Sequence, residues 1–255
     1  MNLSKRLPAV AAVAAVALPG CSLDGEDNDK ASGAKLPQGG EQVKLRPADF
    51  STRIDNSYFP IKPGSRWVYR ETDVEGARQK VVVTVTDRTK RIANGVEARV
   101  VHDVVTEGGQ LVEKTDDWYA QDSKGNVWYL GEDTSEYENG KPKTTKGSFE
   151  AGKDGAQAGV IMPARPETGM AYRQEFYAGQ AEDRARILSL NEQAEVSQGH
   201  YTNVLMTKEL NPLEPKLLEY KWYAKGVGPV LAIAVSGGSD REELVSYTRG
   251  WRSPS

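Results

Sequence analysis

The chain is short of the residues that bind metals or attack substrates. Its 255 residues include one cysteine, Cys21, and two histidines, His102 and His200. One thiol cannot close an internal disulfide, and two imidazoles far apart in sequence make no zinc or copper ligand set. No G-x-S-x-G elbow is present to raise a nucleophilic serine. No cofactor and no metal are therefore expected, and no catalytic residue is assigned. After the N-terminus no apolar run approaches the roughly 20 residues that cross a bilayer as a helix, and no segment keeps a helical period between caps. An excess of positive charge is also lacking. The formal net charge is −3, which argues against nucleic acid as the main partner.

What is present begins with an address. Lys5 and Arg6 precede an uncharged stretch from Leu7 to Leu18, too short to span a bilayer and of the length of a signal-peptide core. It ends in Leu18-Pro19-Gly20-Cys21, which resembles the bacterial lipobox, with Pro19 standing where a small residue is usual. The resemblance implies cleavage after residue 20 and acylation of Cys21. That reading also accounts for a secreted chain with a single cysteine, which would otherwise carry a lone reactive thiol. Residues 21–44 are polar, glycine-rich and acidic. They read as a flexible tether, and the acids Asp24, Glu26, Asp27 and Asp29 lack the spacing of a calcium loop. The expected localisation is the cell envelope. The folded part lies outside the cytoplasm and reaches the membrane through its lipid anchor.

The rest is punctuated by hairpin turns. Asn94-Gly95, Gly108-Gly109, Asp122-Ser123-Lys124-Gly125 and Asn139-Gly140 each separate β-forming segments, because such turns need positive φ, which Gly and Asn adopt at little cost. Val81, Val83 and Val85 alternate with Val82, Thr84 and Thr86, as a half-buried strand requires. The same style returns from residue 169 onward. Residues 150–168 read as a long connecting loop with room for one helical turn. The expectation is an all-β protein of antiparallel meanders, about twelve strands in two six-stranded halves, 45–149 and 169–250, forming a clam or an open barrel.

The halves echo each other. Trp118-Tyr119-Ala120 returns as Trp222-Tyr223-Ala224, Gly95 aligns with Gly199, and Gly64 aligns with Gly169. Between the central anchors Ile92, Val100 and Val101 match Val196, Val204 and Leu205. Three anchors in one order at nearly one offset point to an internal duplication. The segments "YFPIKPGSRWVYR" (58–70) and "WYAKGVGPV" (222–230) resemble the paired signatures of TapB-like and DUF3108-like bacterial envelope proteins. That resemblance implies an antiparallel, barrel-like or clam-like fold and carries no catalytic residue with it.

Alternation assigns faces. Leu218, Tyr220 and Trp222 share one face, expected to be core, with Glu219 and Lys221 on the solvent side. His102 shares a face with Ala98, Val100 and Val104 and is expected to be a satisfied core residue, while His200 is expected to be exposed at a turn. Residues 127–130 and 229–235 are apolar on both faces, so they are either covered on both sides or line a cleft. The first copy of the repeat alone continues into Trp128, Tyr129, Glu132 and Asp133. These four are the ligand-binding candidates, for an apolar or glycan-like ligand or for another envelope protein. Asp116, Asp117, Glu132, Asp133 and Glu136 also supply the paired carboxylates of a glycosidase, so a hydrolase of envelope carbohydrate is the alternative. A structural component without a ligand is the third reading.

Overall fold

The computed structural model describes residues 36–73 and 76–251. The signal-peptide, lipobox and most of the tether expectations lie outside the described residues. A 3-10 turn, Pro47–Asp49, leads into sixteen strands. The first eight are β1 (Phe50–Ser51), β2 (Arg66–Thr72), β3 (Arg78–Arg91), β4 (Glu97–Glu107), β5 (Gln110–Asp122), β6 (Val127–Glu138), β7 (Lys141–Thr144) and β8 (Phe149–Glu150). The others are β9 (Gln157–Met162), β10 (Ala171–Arg173), β11 (Glu175–Phe176), β12 (Arg184–Val196), β13 (Gly199–Leu210), β14 (Leu218–Ala224), β15 (Gly228–Ser236) and β16 (Arg241–Thr248).

All the strands join one antiparallel sheet, thirteen of them in the order β10-β12-β13-β14-β15-β16-β2-β3-β4-β5-β6-β9-β11, with β1 added beside β5 and β7 and β8 beside β6. The meander coils into a nearly closed barrel. Its two ends, β10 and β11, are consecutive pieces of chain joined through Gln174, so the one unsealed seam is spanned covalently there. Residues 36–41 strap that seam. Pro37 O accepts from Arg173 N at 2.6 Å, and Gln38 Nε2 donates to Ala171 O at 2.6 Å. The Arg173 guanidinium donates to the carbonyls of Gly39, Glu41 and Ala158. Gly159 allows the close approach across the seam, because a Cβ there would fall 2.2 Å from the Gln174 carbonyl carbon.

The all-β antiparallel expectation matches this sheet, and the halves form one sheet rather than two. Strands β1, β8, β9 and β11 are additions to the expected twelve. Strand β9 corrects the expected loop over 150–168. "QAGVIM" is buried at nearly every position, so it lacks the alternation that marks a strand with one wet face. It takes the barrel position beside β6. The segment expected there, 141–149, is split into β7 and β8 farther along β6.

Inward positions alternate along each strand. They include Trp67 and Tyr69 of β2, Val81, Val83 and Val85 of β3, and Val101 and Val105 of β4. Tyr119 stacks on Tyr129 with ring centroids 4.9 Å apart, and Phe59 closes on Tyr119 at 5.4 Å. Outside β4–β6 a second apolar layer is also covered. Trp128 packs edge-on against Phe50, and Trp118 lies under Lys90, whose Nζ sits 3.6 Å from the ring centroid. Residues 127–130 are thus covered on both sides.

In β14 the burial is the reverse of the expectation. Glu219, Lys221 and Tyr223 are buried inside the barrel, while Leu218, Tyr220 and Trp222 face outward and are only half-buried. Alternation was read correctly, but the rule that apolar residues face inward failed, because this barrel keeps a charged pair inside. His102 is corrected in the same way. Its strand turns Val101, Asp103 and Val105 inward, leaving His102 half-exposed on the outer face. His200 is exposed.

Candidate functional site

The barrel interior changes character toward the end that carries the β4–β5 and β6–β7 hairpins. Apolar residues give way to acids. Asp117 lies directly opposite Glu132, Glu113 opposite Glu136, Glu71 opposite Glu242 and Glu209 opposite Glu219. Opposed like charges weaken a strand pair, so four such acidic pairs on the inner face of one barrel are a departure from stability-driven sequence choice.

The first group is built on β4, β5 and β6. Asp103, Asp117 and Glu132 are buried, at 6%, 2% and 4% exposure. The Tyr129 hydroxyl lies 2.6 Å from Asp117 Oδ1 and 2.5 Å from Glu132 Oε2. A phenol has one proton to donate, so Tyr129 bridges the two acids without fully satisfying both. Burial, then the neighbouring Asp117 and Glu132, push the Tyr129 hydroxyl well above its ordinary value, so it stays protonated as a donor. Below it Thr115 and Thr134 pair hydroxyl to hydroxyl at 2.7 Å. A cavity opens between Asp103, Glu113, Asp117, Glu132 and Glu136, with Lys146 at its wall. Its room for the centres of water-sized molecules is ≈ 30 Å³, space for about two waters.

The second group lies across the barrel on β13 and β14. Lys221 Nζ sits 3.3 Å from Glu219 Oε1 and 3.9 Å from Glu209 Oε2, and all three side chains are nearly inaccessible. Burial opposes the charge on Lys221, but the carboxylates of Glu219 and then Glu209 outweigh it and hold the ammonium above its ordinary value. For Glu209 burial wins. Its carboxyl is pushed up despite Lys221 and a 2.5 Å hydrogen bond from Thr207 Oγ1. Glu219 is the closer partner of the Lys221 ammonium and Glu209 the more distant one.

The four candidate residues do not converge. Tyr129 and Glu132 point inward and meet at Asp117. Trp128 points outward, and its Nε1 donates to Asp122 Oδ2 at 2.9 Å. Asp133 is exposed on the outer face opposite Asp116. Asp116 in turn bonds His102 Nδ1 at 2.6 Å and Arg88 at 3.2 Å. Asp103 and the Lys221 group were missed. Asp103 announces itself only by sharing the parity of Val101 and Val105, and Lys221 by sharing that of Tyr223. A second cavity, lined by Phe59, Ile61, Trp67, Val101 and Pro229, has ≈ 10 Å³ for water-sized centres and is apolar enough to stay dry. Among the described residues no group of three or more Asp, Glu, His or Cys is arranged to hold a metal ion.

Comparisons with known proteins add little. No family model matches the chain, so the resemblance to TapB-like and DUF3108-like proteins gains no support there, and no curated protein matches it either. One solved structure is similar, that of a candidate lipoprotein from Parabacteroides distasonis ATCC 8503. It shares 13% identity over 76% of this chain and 99% of its own, with a TM-score of 0.42.

Proposed function

We propose that the chain is a lipid-anchored, non-enzymatic protein of the bacterial envelope, whose barrel is a scaffold that works through its outer surface. The observation that carries this reading is the filled interior. Small-molecule sites enclose some 300–1,000 Å³, whereas the two cavities admit a few waters between them. Asp117 and Glu132, joined through one hydroxyl, come within the carboxyl spacing of a retaining glycosidase. Yet a sugar ring has no room beside them, which weighs against the hydrolase alternative. The same lack of room weighs against an apolar or glycan-like ligand held between the halves. The anchor rests on the lipobox resemblance at Cys21. Native mass spectrometry of the protein purified from its own membranes tests the reading. The expected mass is the acylated chain alone or with another envelope protein. A stoichiometric lipid or glycan retained after the anchor's own acyl chains are accounted for would overturn it.

A further inference from the structure

The outer faces of the two halves are finished differently. Over β4–β6 the outward tryptophans are sealed. Trp118 is 5% exposed and Trp128 is 7% exposed. The sealing comes from chain that the other half lacks. Residues 139–156 intervene between β6 and β9, and the 150–156 turn holds Lys90 over Trp118 through the 3.1 Å Lys90–Glu150 ion pair. Phe50 arrives on β1 to cover Trp128. The matching connection from β15 to β16 is only residues 237–240, and the tip of the β12–β13 hairpin reaches over the β15–β16 side alone, where Arg241 Nη2 donates to Glu195 O at 3.2 Å and Ser197 Oγ to Glu243 Oε1 at 2.9 Å. The outward face of β13–β15 is consequently covered only in part: Leu231, opposite Trp222, is 5% exposed, but its neighbours are not sealed. Leu218, Tyr220, Trp222 and Ile233 are half-buried, and Leu210 and Val235 are 42% and 49% exposed.

This apolar face has a basic border. One register row reads Arg186, Lys208, Tyr220, Ile233 and Arg241 across β12, β13, β14, β15 and β16. The next row toward the acidic end begins Arg184, Leu210 and Leu218. Arg241 shares its charge with Glu243 at 3.1 Å, which leaves Arg184, Arg186 and Lys208 as the basic flank. In a chain of net charge −3, three cations beside a Tyr-Trp-Leu-Val surface form a local exception. Aromatic and aliphatic side chains bordered by Lys and Arg are what a membrane–water interface selects.

The tether leads to this side of the barrel. Pro37 is hydrogen-bonded to β10, which neighbours β12 and then β13. With strands about 4.8 Å apart, this face begins roughly 15 Å from the point where the described chain starts. Fourteen residues separate Cys21 from Leu36, and this stretch reaches at most about 50 Å when extended. An anchor at Cys21 therefore keeps a bilayer within reach of β13–β15.

We propose that the outer face of β13–β15 rests on the surface of an anionic lipid bilayer, the bilayer that the acyl chains of Cys21 enter. This rests on the anchored reading above and adds an orientation to it. The barrel lies on its side against the lipid, with Trp222 and Tyr220 at headgroup depth and Arg186 and Lys208 among the phosphates.

The test uses the full mature chain with vesicles of phosphatidylglycerol and phosphatidylethanolamine whose acyl chains carry bromine, a quencher of nearby tryptophan. Quenching is expected, and Trp222→Phe should abolish most of it while leaving vesicle attachment through the anchor intact. Arg186→Glu and Lys208→Glu, both outward and remote from the core, should each lower the quenched fraction about fivefold at low salt. Pure phosphatidylcholine vesicles should lower it for the unaltered chain. Quenching that is unchanged by Trp222→Phe, or absent from vesicle-bound protein, overturns the proposal. So does protection of Trp222 that rises with protein concentration without lipid, which would make the face a contact between copies. The mass of the mature N-terminus, measured on the same sample, judges the anchor separately. An unmodified Cys21 overturns the lipoprotein reading, while quenching still decides the face.

Discussion

Removing the ammonium from the barrel interior is the sharpest test of how this fold is held. In Lys221→Met a long apolar chain fills nearly the same space, so packing is kept and charge is lost. At an effective dielectric of about 20, attractions at 3.3 Å and 3.9 Å amount to about 5 and about 4 kcal/mol before the desolvation that all three groups have suffered. What the variant feels is the loss of the cation from beside Glu219 and Glu209. For buried pairs that loss is about 3–5 kcal/mol. In a domain of this size it should lower the melting temperature by about 6–20 °C, read by far-UV circular dichroism together with the urea midpoint at pH 7.

The pH dependence separates charge from packing. Lys221 has a folded value raised above its ordinary 10.5. Its contribution is complete below that ordinary value and is lost only as pH rises through the folded one. Glu209 is also raised. Its preference for the neutral form supports the fold below about 4.5 and turns into a cost as pH rises through its folded value. In Lys221→Met the carboxyls can escape the penalty only by taking up protons. The gap between variant and parent should therefore narrow as pH falls from 7 toward 4. The triple variant Lys221→Met, Glu219→Gln, Glu209→Gln should recover most of the loss at pH 7, since neutralising a whole buried cluster is often close to neutral in effect. A loss below about 1 kcal/mol at pH 7, or one that does not change between pH 7 and 4, would refute the reasoning.

Three further outcomes are expected. Trp118→Ala should cost about 3–5 kcal/mol by cavity formation, and Trp222→Ala less than about 2 kcal/mol because its ring is already half in water; urea unfolding of the two variants reads the difference. Glu150→Gln should cost about 1–2 kcal/mol at neutral pH. Burial raises the Glu150 carboxyl, but hydrogen bonds from Lys153 and Lys90 outweigh it and leave it below its ordinary 4.5. The difference between variant and parent should thus persist above about 4.5 and close as pH falls through the lowered value, which thermal melts across pH 3–7 would show. Cys21→Ser should release the protein from the membrane fraction or leave its precursor uncleaved; a variant that fractionates like the parent with the same mature N-terminus would remove the anchor.

Much of the fold was legible because turns leave local marks. The pairs at 94–95, 108–109 and 139–140 and the turn at 122–125 each sit at an observed hairpin between consecutive strands, since only residues tolerant of positive φ fit there. What was hidden followed from the same source as the site. Alternation states which residues share a face, and only a further assumption states which face is dry. In β14 the assumption placed Leu218, Tyr220 and Trp222 inside, and it failed because Lys221 and Glu219 neutralise each other well enough to stay buried. The partners of Lys221 stand twelve residues back and two residues back along the chain, on β13 and on β14 itself. No local pattern links Glu209 to Lys221 until the strands are paired. The internal duplication stays a proposal for a related reason. Trp118 on β5 and Trp222 on β14 both face outward, yet one is sealed and the other is only half-buried. Covering one face and leaving its counterpart open would be a direct way for a duplicated barrel to acquire a surface with a task. The proposed lipid contact of β13–β15 and the 139–156 insertion over β4–β6 would then be two consequences of one divergence between the halves.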